Sequence, residues 1–174
     1  MATSNRSIAD RMLGAARFDI ATYEEVEADT TATGQAAVVV ALVAVASAIG
    51  ALREGGTNVL IALVGALVGW AVWAGVTYLI GDKLLGGTAT WGELLRTLGF
   101  AQAPGVLLAL GLLPLLGSVV RVVVAFWLLA TGIVAIRQAL DVGTGKAVIT
   151  AILGWLALLL VNVLLGIGGM ALPG

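Results

Sequence analysis

The chain contains no cysteine and no histidine, and only 11% of its 174 residues are charged. Without cysteine it can form no disulfide, no thiolate metal centre and no acylated lipobox. Without histidine it lacks the commonest metal ligand and the side chain best suited to moving protons near neutral pH. So little charge beside 60% hydrophobic residues is incompatible with a soluble domain of this size and places the chain in the membrane class. The formal net charge of −1 says nothing about partners. A cleavable signal peptide is not expected, because a signal needs a basic stretch followed at once by an apolar core and here "YEEVEAD" intervenes. The first 33 residues set Arg6, Arg11 and Arg17 against Asp10, Asp19, Glu24, Glu25, Glu27 and Asp29, three positive and six negative charges giving −3. Residues 1–33 are therefore expected to be an acidic cytoplasmic segment with short helical stretches.

What is present is a series of long apolar runs. Crossing ~30 Å of hydrocarbon takes about 20 mostly apolar residues in a helix. Runs at about 34–52, 58–80 and 147–169 meet that length. Trp70 and Trp73 lie near the centre of the second run, away from the membrane interfaces that Trp usually occupies, and are expected to face other helices. The stretch 105–136 has 32 residues, roughly 48 Å as a helix, too long for one crossing and tight for two. One reading makes it part of two spans, about 98–117 and 119–137, bent at Pro104 and Pro114 with a turn at "LLGS". The other makes it a re-entrant hairpin returning to the side it left. A Pro-bent span is tolerated where neighbouring helices satisfy its backbone, whereas a hairpin would bury Arg121 at its tip at high cost. The expectation is thus an all-α integral membrane protein, a bundle of five transmembrane helices over 34–170.

Lys and Arg are unevenly shared between the two sides of such a bundle. With the N-terminus inside, the inner segments carry Arg6, Arg11, Arg17, Lys83, Arg96, Arg137 and Lys146 and the outer ones only Arg53 and Arg121, seven against two. The positive-inside rule then puts the N-terminus in the cytoplasm and the C-terminus outside, in the cytoplasmic membrane of a prokaryote.

The segment "GELLRTLGFAQAPG" (92–105) carries the most polar chemistry between apolar runs. Thr90 and Glu93 have capping-box spacing. Trp91, Leu94, Leu95 and Leu98 recur at helical intervals opposite Glu93, Arg96 and Thr97, the pattern of an amphipathic helix lying at the membrane surface over 90–101. Alternatively Glu93 and Arg96 join Asp82 and Lys83 in a polar site where a partner or substrate docks. Near the N-terminus Ile8, Met12, Ala15, Ala16 and Ile20 share a helical face, with Arg6, Arg11 and Arg17 available to lipid headgroups. Thr22 and Glu25 repeat the capping-box spacing and are expected to start a second short helix.

Gly65 and Gly69 form a G-x-x-x-G, and Ala37, Ala41, Ala44 and Ala48 line one face of the first span; both are expected to let helices approach closely within the bundle. Asn162 is a polar side chain at membrane depth, with Thr77, Thr131 and Ser47, and is expected to make an interhelical hydrogen bond. No ionisable residue falls within the three clearest spans, which argues against a proton-coupled transporter or pump. "DVGTGKAV" lacks the first Gly and the Ser/Thr of a P-loop, and "GIGG" lacks the full dinucleotide spacing and its strand. No cofactor, metal, nucleotide or nucleic acid is expected, and no catalytic constellation is present.

"TYEEVEADTTATGQA" (22–36) leading into a span, "GELLRTLGFAQAPG" leading into a Pro-containing one, and "RQALD" (137–141) together resemble the bacterial branch of the Yip-one domain, or YIP (Ypt-interacting protein), family. The resemblance covers nearly the whole chain, and the five-span layout is similar. Eukaryotic relatives act in membrane traffic, binding Rab-type GTPases and one another, and some shape membranes. The resemblance implies a non-enzymatic membrane scaffold or adaptor, with a lipid bilayer, another membrane protein or a second copy as partners. It makes Glu24, Glu25, Glu93, Arg96, Phe100 and Pro104 the positions to test for partner binding. The alternative is a small transporter or channel subunit with a polar cavity at Asn162 and Thr77.

Overall fold

The computed structural model describes residues 6–52, 55 and 58–164, the side chains at 158–159 and 161–164 excepted. Arg53, the side chain of Asn162 and the chain after residue 164 lie outside the described residues. Every regular element among those described is helical. Two short helices come first, α1 (Ile8–Ala16) and α2 (Ile20–Ala28). They are followed by α3 (Ala32–Gly50), α4 (Val59–Tyr78), α5 (Trp91–Ala101), α6 (Gly117–Ala139) and α7 (Thr144–Leu164). A π-helical stretch, Leu79–Leu84, prolongs α4, and a 3-10 stretch, Ala103–Leu112, prolongs α5.

Four stretches are long and apolar enough to cross a membrane: Ala32–Gly50, Val59–Leu84, Trp91–Leu112 and Gly117–Ala139. α7 adds a shorter apolar helix over Thr144–Ala157. The third stretch differs from the sequence expectation. Residues 90–101 are not a surface helix set apart from a span; α5 runs on through Gln102 into the 3-10 stretch as one path of 22 residues, 61% buried against 44%, 11% and 22% for the other three. It is the centre of the molecule. Pro104 does not interrupt it because it stands at the first turn of the 3-10 stretch, where a missing N–H costs nothing.

A repeated close approach holds this central path against α3. Any Cβ on Gly99 would lie 2.7 Å from the Cβ of Ala36, one on Gly105 would collide with Val43, and one on Gly111 would lie 3.2 Å from the Gly50 carbonyl oxygen. The partners on α3 are spaced by seven residues, two α-helical turns. The glycines are spaced by six, and in the 3-10 stretch six residues are two turns of three. The 3-10 winding therefore keeps Gly105 and Gly111 in line with α3, where α-helical winding would rotate Gly111 away. Gly117 completes the set by abutting Gly111 at the start of α6.

Gly65 and Gly69 do not have the role expected of them. Among the described residues no atom lies within 4 Å of where their Cβ would stand, and both are exposed, so no described helix packs on that G-x-x-x-G. The tryptophans of α4 do face inward: the Trp70 indole N–H donates to the Leu95 carbonyl at 3.0 Å, and Trp73 lies over Gly154 of α7.

Candidate functional site

Two short helices at the N-terminus are positioned by caps that sequence spacing identifies only in part. Ser7 and Asp10 form a full capping box at the start of α1. α2 begins at Ile20 behind Asp19, so Thr22 is inside the helix, fully buried, and donates to Asp19 at 2.6 Å rather than starting a helix with Glu25. Thr90 and Glu93 do form the expected capping box on α5.

Arg11 is not available to lipid headgroups. It is 2% exposed and binds Glu25 at 3.0 Å, Asp29 at 2.7 Å and the Gln35 side chain at 2.9 Å. A buried guanidinium is tolerated where all its donors find acceptors, and this one ties α1 to α2 and to the first turn of α3. The Thr31 hydroxyl and Arg11 hold the Asp29 carboxyl below its usual range. Glu25 also pairs with Arg6 at 3.3 Å.

The three segments "YEEVEAD", "GELLRT" and "RQALD" meet at one end of the bundle, where α2, α5 and α6 touch. Arg96, expected on a solvated face, is 6% exposed. Its Nε donates to the carbonyls of Val26 at 2.9 Å and Glu27 at 3.0 Å, and its Nη2 also reaches the Glu27 carbonyl. These carbonyls belong to the last turn of α2, which has no intrahelical donors for them. Arg96 thus caps α2 from another helix. Gln138 of α6 donates to Glu24 at 2.5 Å and accepts from the Arg137 guanidinium at 2.9 Å. Beside them the Thr88 hydroxyl donates to Asp141 at 3.1 Å.

Four carboxylates are gathered here, and Glu27 bears the consequence. Its Oε2 is buried without a hydrogen-bond partner. Burial first, then the charges of Glu24, Glu93 and Asp141, push its pKa up to about 7, against a smaller opposing pull from Arg96. Among the described residues no three His, Cys, Asp or Glu side chains are placed to hold a metal ion.

Of the six positions singled out for partner binding, Glu24 is exposed and Glu93 partly so. Glu25 and Arg96 are engaged in the internal contacts above, while Phe100 and Pro104 are buried. Asp82 pairs with its neighbour Lys83 at 2.7 Å rather than with Arg96. Sequence reasoning passed over Glu27; its spacing from Glu24, one helical turn, was the available signal. The family model described as Yip1 domain matches residues 20–165, and no curated protein and no solved structure matches the chain.

Proposed function

We propose, from the premise that this chain belongs to the Yip1 domain family, that it is a non-enzymatic scaffold or adaptor whose end formed by α2, α5 and α6 is a docking surface for another membrane protein or a second copy. The observation that supports this reading is the convergence of Glu24, Glu93, Gln138 and Asp141 from three separate stretches of chain. Holding like charges together is unfavourable, and a partner presenting Lys or Arg would relieve it. Affinity of this kind falls with salt. The Lys and Arg distribution supports a setting in a prokaryotic cytoplasmic membrane, with this end inside and the C-terminus outside.

The test is an unbiased pull-down from detergent extracts of the wild type, Glu24→Lys, Glu93→Lys and the double exchange. The expected result is an unchanged fold and selective loss of at least one co-purifying protein, or of a differently tagged second copy. Identical sets of co-purifying proteins at equal expression would remove the docking role from this surface.

A further inference from the structure

α1 bridges two of the long helices. From its middle Arg11 reaches Gln35 on α3; at its C-terminal end the Ala16 carbonyl accepts from the Trp127 indole on α6 at 2.8 Å. Tyr23 of α2 fixes the same level, its hydroxyl donating to Ala15 and, at 3.3 Å, to the Thr131 carbonyl. That level coincides with the edge of the outward apolar surface of both helices. On α3 large exposed apolar side chains begin at Val38, one turn beyond Gln35; on α6 they end at Leu129, with Phe126 and Leu129 flanking Trp127.

The hairpin made by α1 and α2 is itself apolar on its outer side. Leu13, Phe18 and Ile20 are 49%, 42% and 46% exposed, on a segment otherwise rich in charge. Phe18 occupies the left-handed region at φ 62, unusual for a bulky residue. Arg17 is exposed next to it. Beside them opens a cavity of about 420 Å³ lined by Arg6, Asp10, Leu13, Arg17 and Asp19 among others. Apolar side chains flanked by Arg at the edge of a lipid-facing band are what the headgroup and acyl boundary of a bilayer accepts.

We propose that the α1–α2 hairpin is an in-plane membrane anchor. Leu13, Phe18 and Ile20 enter the acyl boundary of the leaflet on their side of the bundle, and Arg17 meets the phosphates of its phospholipids. The occupant of this surface is lipid, not protein, which separates it from the docking surface of α2, α5 and α6 a few residues away. The anchor sets how deep the bundle sits and keeps α2 close to the membrane plane.

The absence of cysteine makes the test direct. Spin labels are placed on the full chain as Leu13→Cys, Phe18→Cys or Ile20→Cys, in nanodiscs of phosphatidylethanolamine and phosphatidylglycerol. Collisions with oxygen report lipid and collisions with a water-soluble nickel chelate report solvent. Phe126→Cys serves as the lipid reference and Ala28→Cys as the water reference. Labels at 13, 18 and 20 should favour oxygen several-fold over the chelate, as at 126. Ratios matching position 28 would place the hairpin in water and overturn the proposal, as would low collision with both reagents, the mark of protein contact. Positions 13 and 20 lie on regular helices and carry the test if the change at Phe18 disturbs the turn. In the same discs Arg17→Glu should move the label at position 20 towards the chelate; no movement would overturn the part assigned to phosphate.

Discussion

The guanidinium of Arg96 closes on the main chain of Glu27 and leaves that residue's carboxylate with a buried, unpartnered oxygen. The contact is a helix cap and not an ion pair. It spends the positive charge on the orphan carbonyls at the end of α2, so the carboxylates around it keep most of their repulsion.

Removing that cap should loosen α2 first. In Arg96→Met the apolar stem remains while the carbonyls of Val26 and Glu27 lose their donor, at about 1–3 kcal/mol for each buried group left unsatisfied. Hydrogen exchange followed by mass spectrometry should show faster exchange across 20–28 and little change in α4 or α7, with Arg96→Lys in between. Unchanged exchange in α2 would contradict the capping role.

The Glu27 carboxyl gives the fold a pH dependence with a definite sign. Its pKa in the folded chain is about 7, raised from 4.5 by burial first. As pH rises between those values the unfolded chain loses its proton before the folded one, so stability falls across that window and the full penalty remains above it. The unfolding temperature in detergent should therefore be higher at about pH 5 than at about pH 8, and Glu27→Gln should shrink the difference. An equal difference in the variant would assign the effect to other groups.

Glycines on the α3 face and on the open face of α4 should respond oppositely to the same change. Gly99→Leu and Gly111→Leu force apart backbones in contact with Ala36 and Gly50 and should cost about 1–3 kcal/mol or more. Gly65→Leu and Gly69→Leu enter open space and should stay within about 0.5 kcal/mol. Thermal unfolding of the four variants measures this, and a Gly65 variant as damaged as the Gly99 variant would argue against the assigned packing.

The proposed orientation has a labelling signature. Ala28 and Ser118 are both exposed and lie at opposite ends of the described bundle. An impermeant thiol reagent added to intact cells should modify Ser118→Cys and spare Ala28→Cys until the membrane is opened. Protection of position 118 would instead favour a re-entrant path through 105–136.

Local chemistry was legible in the sequence where it depends on neighbours. The Thr90 and Glu93 cap follows from spacing, and the inward Trp70 from its place near the centre of its apolar run. Arg96 was not legible because its partners lie about seventy residues upstream in α2, and an Arg opposite an apolar stripe reads as solvated until a second helix is known to cover it. The same holds for Arg11, whose acceptors come from α2 and α3. Thr22 misled because Asp19, three residues earlier, is an equally good helix start. Gly65 and Gly69 misled because a small-residue motif fixes only that an approach is possible. For the proposed docking surface, the contributing segments were visible in the sequence, but the engagement of Glu25 and Arg96 in internal contacts was not.

The 3-10 winding of Ala103–Leu112 also governs reach. At about 2.0 Å per residue those ten residues extend roughly 20 Å, where an α-helix of the same ten would extend about 15 Å. This part of the central path therefore covers its height with fewer residues than an α-helix of the same length would need. Gly105 and Gly111 seat this stretched form against Val43 and Gly50 of α3. Rewinding those ten residues as α-helix would shorten them by roughly 5 Å and turn Gly111 away from Gly50, so the reach of the central path and its seat on α3 are set by the same residues.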